Sequence, residues 1–467
     1  MENKDSTSSF VNTLRGFGLG GIKIDREELK KQTQMPKYLR EAMDLAIRSK
    51  NAQVVAREVV SPSISAEIPI VVFINEKSGG RLGPALKVWF QEFLGPEQVF
   101  DILDVNPSVF VQYGLACLEN LASLGDDCAR KTRQNLRIVT AGGDGTVGWV
   151  LSCLAELSKK RKPVPSTGVI PLGTGNDLSR TFDWGSSFPF LWRSAVKSSI
   201  HKATTGRIRH LDSWEVVVSM PSGKSESLKL PHSLKKTEDL TLAHNVYDGD
   251  IPDEASCFAG VFYNYFSIGM DAQVAYGFHH LRNKKPYLAQ GPISNKMIYS
   301  GYSCSQGWFC TSCISDPGLR GLKNIMHLSI KKDSNCSEWE NIHVPKSVRA
   351  IVVLNLPNYG SGRHPWGSPK PDYLEKRDFV EAHVDDGLIE IVGLKQGWHA
   401  SFVMSKIISG KHITQAAAVR FELKGGEWKK AYMQMDGEPW KQPIDNDLST
   451  FVEVSKVPHY SVMISGE

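Results

Sequence analysis

Residues 136–151 read LRIVTAGGDGTVGWVL, and the order of residue types in this stretch decides the fold of the first part of the chain. Residues 136–141 are a short, mostly apolar run, the pattern of a buried strand. GGDGT then breaks the run, and residues 147–157 carry apolar side chains at helical spacing. Strand, glycine turn and helix in direct succession is the repeating unit of a parallel sheet covered by helices. The unit recurs on both sides. Residues 68–75 read as a strand, followed by SGGRLG and a helix over 84–94 with a proline near its first turn. Residues 100–105 read as a strand and 109–124 as a helix. Residues 167–172 read as a fourth strand, followed by GTGND and a short helix. An α/β domain with a parallel sheet follows, its ligand loops lying beyond the carboxyl ends of the strands.

Past residue 210 the alternation stops. Residues 211–219, 257–268, 325–331, 349–354, 388–394, 418–423 and 451–457 read as strands with few long helices between them. A mostly antiparallel β domain is expected there, interrupted by polar loops at 221–254 and 358–375. The expected organisation is an N-terminal extension (1–66), the α/β domain (67–210), the β domain (211–458) and a tail (459–467). Within the extension, Leu39, Ala42, Met43, Ala46 and Ile47 fall on one face of a helix over 37–50. Packing on the domain behind it is favoured over seating on a membrane.

The chain has 467 residues, enough for two or three domains at about 150 residues each. Its 55 Lys and Arg against 50 Asp and Glu give a net charge of +5, too mild for a dedicated nucleic-acid binder. No apolar run approaches the roughly 20 residues that cross a bilayer. The polar start MENKDSTSSF lacks a signal core. Eight cysteines are too sparse for a disulfide scaffold. Cys304, Cys310 and Cys313 contain one CxxC without the second ligand pair of a structural zinc site, so free thiols are favoured. The expectation is a cytoplasmic, monomeric protein that associates peripherally with membranes.

Three strand-to-helix turns carry glycine: Ser78-Gly79-Gly80, Gly142-Gly143-Asp144-Gly145-Thr146 and Gly173-Thr174-Gly175-Asn176-Asp177. Glycine lets backbone approach a ligand closely and aim N–H groups at an anion beside a helix N-terminus. Three such turns in one sheet point to a shared phosphate site. No Gly-x-x-x-x-Gly-Lys-[Ser/Thr] occurs, which excludes a P-loop NTPase. Residues 143–148 match GxGxxG, so a dinucleotide dehydrogenase is an alternative. It predicts an acidic residue about 20 positions on, where the chain offers KKRKP and VPSTG. A second match at 16–21 follows no strand. The basic run 159–162 sits where it complements a helix dipole.

GGDGTVGWVL (142–151) with IPLGTGNDLSR (170–180) resembles the catalytic domain of eukaryotic diacylglycerol kinases. HVDDGLIEIVGL (383–394) and MQMDGEPW (433–440) look like the accessory domain of that family. The resemblance runs from about residue 68 to about 458, and its compact form is similar to the short plant diacylglycerol kinases without C1 modules. It implies a diacylglycerol/NAD-kinase-like fold of two domains with the active site in the cleft between them. It implies transfer of phosphate from ATP to 1,2-diacylglycerol in a membrane bilayer, giving phosphatidic acid.

By the same resemblance, Asn75, Ser78, Gly79, Gly80, Gly142, Gly143, Asp144, Gly145, Thr146, Gly173, Thr174, Gly175 and Asn176 form the nucleotide site, with Asp144 facing the phosphates or Mg2+. Glu438 matches the position assigned as proton acceptor in soluble bacterial relatives, and Asp144 is kept as essential. His383, Asp386 and Leu388 resemble a structural Mg2+ site made of one carboxylate and two backbone carbonyls, although DDG is also an ordinary hairpin turn. Asp271 aligns with an acidic residue that contacts the lipid head group in sphingosine-type relatives. One departure is Glu76, where many relatives have proline; a carboxylate beside ATP phosphates would repel them, so it is expected to point away. Without C1 modules, an anionic phospholipid surface is left to Trp308, Phe309, Lys235, Lys236, Lys284 and Lys285. An NAD-kinase-like enzyme acting on a soluble hydroxyl and a non-catalytic lipid-binding relative remain alternatives. MDGEPW argues against the first, and intact Asp144 and Glu438 against the second.

Overall fold

The computed structural model describes residues 25–53, 65–79, 82–160, 162–189, 193–221, 228–237, 255–284, 321–395, 410–426 and 428–467. The chain divides into two compact units, Met1–Arg209 with Ser461–Glu467, and His210–Tyr460. Strands are numbered β1–β19 along the chain.

The first sheet contains β1 (Ile70–Ile74), β2 (Val99–Asp101), β3 (Arg137–Gly142), β4 (Ser166–Pro171), β5 (Ile208–Leu211) and β19 (Ser461–Ile464), in the order β2-β1-β3-β4-β19-β5. The pairings β2–β1, β1–β3, β3–β4 and β4–β19 are parallel. All five side chains of β1 (IVVFI) are buried, as expected of a strand covered on both faces. The helix Lys37–Ser49 supplies part of one cover. Leu39, Ala42, Met43, Ala46 and Ile47, the residues read as its apolar stripe, are all buried. They share a core with Val71, Phe73, Phe100, Phe110 and Leu118, in which the rings of Phe73 and Phe110 meet edge-on at 5.3 Å. The helix therefore spends its stripe on the protein.

The C-terminal segment, read as a tail, supplies β19. Thr167 pairs with Met463, the Trp184 indole N–H donates to the Ile464 carbonyl at 2.6 Å, and Ser465 N–H and Gly466 N–H donate to Arg207 and Phe182 carbonyls at 2.8 Å each. A parallel strand added from the far end of the chain leaves no local turn signal, so sequence patterning does not reveal it.

The second unit has two antiparallel sheets. The first runs β11 (Glu340–Ile342), β10 (Met326–Lys331), β15 (Ala418–Leu423), β18 (Thr450–Lys456), β6 (Trp214–Pro221), β8 (Ala255–Phe262), β7 (Lys235–Thr237). The other runs β14 (Lys411–Ala416), β13 (Ile389–Leu394), β12 (Ala350–Leu354), β9 (Tyr265–Gly269), β16 (Lys430–Met435), β17 (Glu438–Pro443). One core contains Trp214, Val216 and Phe421 of the first sheet with Phe266, Ile268, Ile351, Val353, Met433 and Trp440 of the other. The alternate residues of that second sheet, Ala350, Val352, Leu354, Val392 and Leu394, build a separate apolar layer with Met270 and Tyr359. A sheet buried on both faces reads as a continuous apolar run rather than an alternation.

Two sequence readings change here. The single strand expected over 257–268 is two strands, β8 and β9, which belong to different sheets and meet at a corner at Tyr263 and Asn264. The helix Met270–Lys284, not foreseen, packs across β9, β16 and β17.

Deleting residues 461–467 removes at least four hydrogen bonds from the first unit. At about 1 kcal/mol each, and about 2–4 °C per kcal/mol for a unit of this size, its melting temperature should fall by roughly 10 °C. A calorimetric scan that finds no separate loss in the first unit's transition would contradict the role given to β19.

Candidate functional site

The three glycine turns stand at the carboxyl ends of β1, β3 and β4 and are tied to one another by backbone. Asn75 N–H donates to the Ala141 carbonyl at 2.9 Å, Leu172 N–H to the Gly142 carbonyl at 2.9 Å, and Gly79 N–H to the Leu172 carbonyl at 3.0 Å. Asn75 Nδ2 donates to Thr146 Oγ1 at 3.0 Å, which links the first turn to the second. A Cβ on Gly173 would lie 2.5 Å from Gly143 Cα. The second and third turns thus touch backbone to backbone, an approach that only glycine permits.

Asp144 opens the helix Asp144–Lys159. Its carboxylate accepts Asp177 N–H at 3.1 Å and Leu178 N–H at 3.0 Å, so it fastens the third turn to the second. At the start of this 16-residue helix, Thr146 N–H and Val147 N–H donate to the Gly143 carbonyl at 2.9 and 3.1 Å. Asn176, in the left-handed conformation at φ 56°, accepts Gly173 N–H at 2.8 Å and donates to the Gly173 and Ser186 carbonyls at 2.9 Å each. The side chain holds the backbone of its own turn. Glu76 pairs with Lys87 on the helix Gly83–Leu94 at 2.7 Å. In the basic run, Lys159 pairs with Glu156 at 2.8 Å and Lys162 with Glu119. Gly80, Arg161, Lys285, Trp308, Phe309, Cys304, Cys310 and Cys313 lie outside the described residues.

In the second unit, MQMDGEPW is the β16–β17 hairpin. Met435 pairs with Glu438, leaving Asp436 and Gly437 as a two-residue turn with φ of 47° and 83°. Positive φ at both positions is the type I′ pattern that Asp-Gly suits. The Asp436 carboxylate accepts three successive amides of the β8–β9 corner: Tyr263 N–H at 2.8 Å on Oδ2, and Asn264 and Tyr265 N–H at 2.9 Å on Oδ1. Burial pushes its pKa up to about 6 against the pull of those amides. Two residues on, Glu438 Oε2 accepts the amide of Ser233 at 3.1 Å and its hydroxyl at 2.8 Å. Among the described residues, Oε1 has no hydrogen-bond donor. One oxygen is fixed and the other is open, the form of an oriented base.

Asp271 is buried at the start of the helix Met270–Lys284. Its Oδ2 accepts Ser267 Oγ at 2.6 Å, Gln434 Nε2 at 2.8 Å and the Tyr359 hydroxyl at 3.2 Å. Oδ1 is buried without a hydrogen-bond partner of good geometry. Burial holds the carboxyl above its ordinary value, more strongly than these donors lower it. Asp386 Oδ2 accepts His383 N–H at 3.1 Å and Oδ1 accepts Leu388 N–H at 2.9 Å, which brings the three predicted residues into one turn. Burial raises the Asp386 pKa, and Glu390 and Asp212 add to it. Asp212 itself binds Lys456 at 2.6 Å and Gly387 N–H at 2.7 Å.

Asp436, Ser233, Gln434 and Tyr359 were not foreseen. Asp436 had a signal, since it lies inside the motif that carries Glu438, and Asn264 interrupts an otherwise aromatic run as a turn residue does. Ser233 stands in a polar loop 205 positions from its partner and had none.

Two families match the chain. The diacylglycerol kinase catalytic domain matches residues 69–208, and the diacylglycerol kinase accessory domain matches residues 261–439. Diacylglycerol kinase 7 of Arabidopsis thaliana is 63% identical over 466 residues, covering 97% of this chain and 94% of that protein. Diacylglycerol kinase 3 of the same plant is 60% identical over 465 residues, covering 97% and 95%. Diacylglycerol kinase 1 of Oryza sativa subsp. japonica is 36% identical over 406 residues, covering 85% and 79%.

Asp436→Ala strips acceptors from three amides at the corner. Each unsatisfied buried amide costs about 1–3 kcal/mol, so the second unit should melt at least several degrees lower. The pH dependence carries a sign. The folded pKa of about 6 exceeds the ordinary 3.8, so the folded state binds this proton more tightly. That contribution is complete below about pH 4 and is lost as pH rises through 6. Melting curves across this range should lose that component in Asp436→Ala; an unchanged slope would refute the assignment.

Proposed function

Because this chain belongs to the diacylglycerol kinase family, we propose that its three glycine turns hold the phosphates of ATP and that Glu438 accepts the proton of the lipid hydroxyl. The chain is a lipid kinase, with ATP as phosphate donor and diacylglycerol as acceptor. The observation that carries the residue assignment is the Glu438 carboxylate, held through one oxygen by Ser233 with the other oxygen open. In the proposed step, the hydroxyl proton passes to Glu438 as the hydroxyl oxygen forms its bond to the γ-phosphorus. The bond from that phosphorus to the bridging oxygen breaks, releasing ADP and leaving phosphatidic acid. Most of the catalytic effect in phosphoryl transfer comes from positioning and charge stabilisation, for which three turns joined by backbone bonds are suited.

Asn75, Ser78, Gly79, Gly80, Gly142, Gly143, Gly145, Thr146, Gly173, Thr174, Gly175 and Asn176 are assigned to the nucleotide site. Asp144 is assigned a positioning role, because both of its oxygens accept amides of the third turn; a carboxylate is also a hard oxygen donor of the kind that Mg2+ takes. Asp271 is assigned to the lipid head group, with its Oδ1 as acceptor for a hydroxyl. Mg2+ also fits the turn around Asp386. The donors there are hard oxygens, and the nearby carboxylates of Glu390 and Asp212 add negative charge that a cation would relieve. Asp386 with the carbonyls of His383 and Leu388 would hold it, and bound Mg2+ would supply charge neutralisation that stiffens the turn. Among the described residues, no helix is long and apolar enough to cross a membrane. We infer a cytoplasmic monomer that meets its substrate at an anionic membrane surface.

Glu438→Gln keeps an acceptor for Ser233 and removes the base. Turnover of diacylglycerol should fall by about 10²–10⁴-fold, while ATP affinity is unchanged. Near-normal turnover would remove Glu438 from the mechanism. For the cation, Mg2+ should raise the melting temperature of the wild type without nucleotide, and Asp386→Asn should abolish that rise. An equal rise in the variant would place Mg2+ elsewhere.

A further inference from the structure

The β16–β17 hairpin is the edge of its sheet, β17 being the last strand. On the side away from the core, Tyr432 and Lys441 stand opposite each other in the register, and the helix Met270–Lys284 brings Tyr276 beside them. The Tyr276 and Tyr432 rings meet edge-on at 5.6 Å. Lys441 Nζ lies 4.6 Å from the Tyr276 ring centre and 5.9 Å from that of Tyr432, and Lys430 Nζ lies 5.8 Å from Tyr432. Tyr276, Tyr432 and Lys441 are half-exposed, and Lys429 and Lys430 are exposed. Among the described residues, neither Lys430 nor Lys441 has a carboxylate partner. Residues 272–284 contain no Asp or Glu. The result is two tyrosines beneath two cations that have no carboxylate partner among the described residues.

Such a surface is complementary to a phospholipid interface. Tyrosine places an apolar ring and a polar hydroxyl at the boundary between head groups and water, and lysine is attracted to anionic lipids. Its place in the fold suits the reaction. Gln434, two residues along β16 from Tyr432, donates to Asp271. Diacylglycerol carries no charge, so electrostatic attraction must come from the phospholipids around it, and the phosphorylated product adds to their charge.

We propose that Tyr276, Lys430, Tyr432 and Lys441 form the surface by which this enzyme docks on an anionic phospholipid bilayer. The inference rests on the reading that the enzyme works at a membrane surface, and it names where. Sedimentation with phosphatidylcholine vesicles, with and without phosphatidylserine, tests it. A lysine near an anionic surface contributes about 1 kcal/mol, or about fivefold. The variant Lys430→Gln with Lys441→Gln should therefore lose about 25-fold in partition onto phosphatidylserine vesicles. Its partition onto phosphatidylcholine alone and its melting temperature should match the wild type. Lys235→Gln with Lys236→Gln, on the exposed edge strand β7, should bind as the wild type does. Wild-type binding by the first variant, or a loss confined to the second, overturns the proposal. A wild type indifferent to phosphatidylserine overturns it together with the anionic-surface reading beneath it.

Discussion

The second unit depends on one carboxylate. Asp436 accepts three consecutive amides at the corner where the chain leaves β8 in one sheet and enters β9 in the other. A corner between sheets exposes successive N–H groups that neither ladder can take up, and unpaired amides are costly once buried. The side chain that satisfies them sits in a hairpin turn more than 170 residues away in sequence. That turn, with φ positive at both positions, begins the strand on which Glu438 is displayed. The same contact therefore closes the two-sheet core and sets the position of Glu438, the proposed base. Its elevated pKa records the desolvation that accompanies this arrangement.

The first unit works by a different constraint, the close approach of backbone. Gly143 and Gly173 touch because neither has a Cβ, and Asp144 and Asn176 spend their side chains on the amides and carbonyls of the third turn. The polar residues of the glycine turns thus fix the loop geometry, and the phosphate contacts proposed for these turns fall to backbone N–H groups. Glu76 is consistent with this division. Its charge is taken up by Lys87, which would weaken its repulsion of phosphate at the proposed site.

Asp271 shows how much a motif leaves open. An isolated acidic residue at the start of a helix reads as a solvated side chain. In the fold it is buried, with three donors gathered on one oxygen from β9, β16 and the segment after β12. Its other oxygen is left as an acceptor in buried surroundings. Similarly, Asp386 reads as part of an ordinary turn and is one, accepting two amides of that turn. The nearby charges of Glu390 and Asp212 are what distinguish it.

Local pattern alone determined the parallel α/β half, the stripe of the helix over 37–49, the strands that alternate or run apolar, and the glycine turns. Each of these is written in consecutive residues, through a period of two or 3.6 or through the special conformational freedom of glycine. Tertiary structure decided the rest. It broke the run 257–268 into two strands in two sheets, brought residues 461–464 back into the first sheet, and joined Ser233 to Glu438 and Gln434 to Asp271. Those features consist of contacts between residues distant in sequence, in which one partner satisfies the backbone or side chain of another. A chain read residue by residue contains both partners but not their meeting.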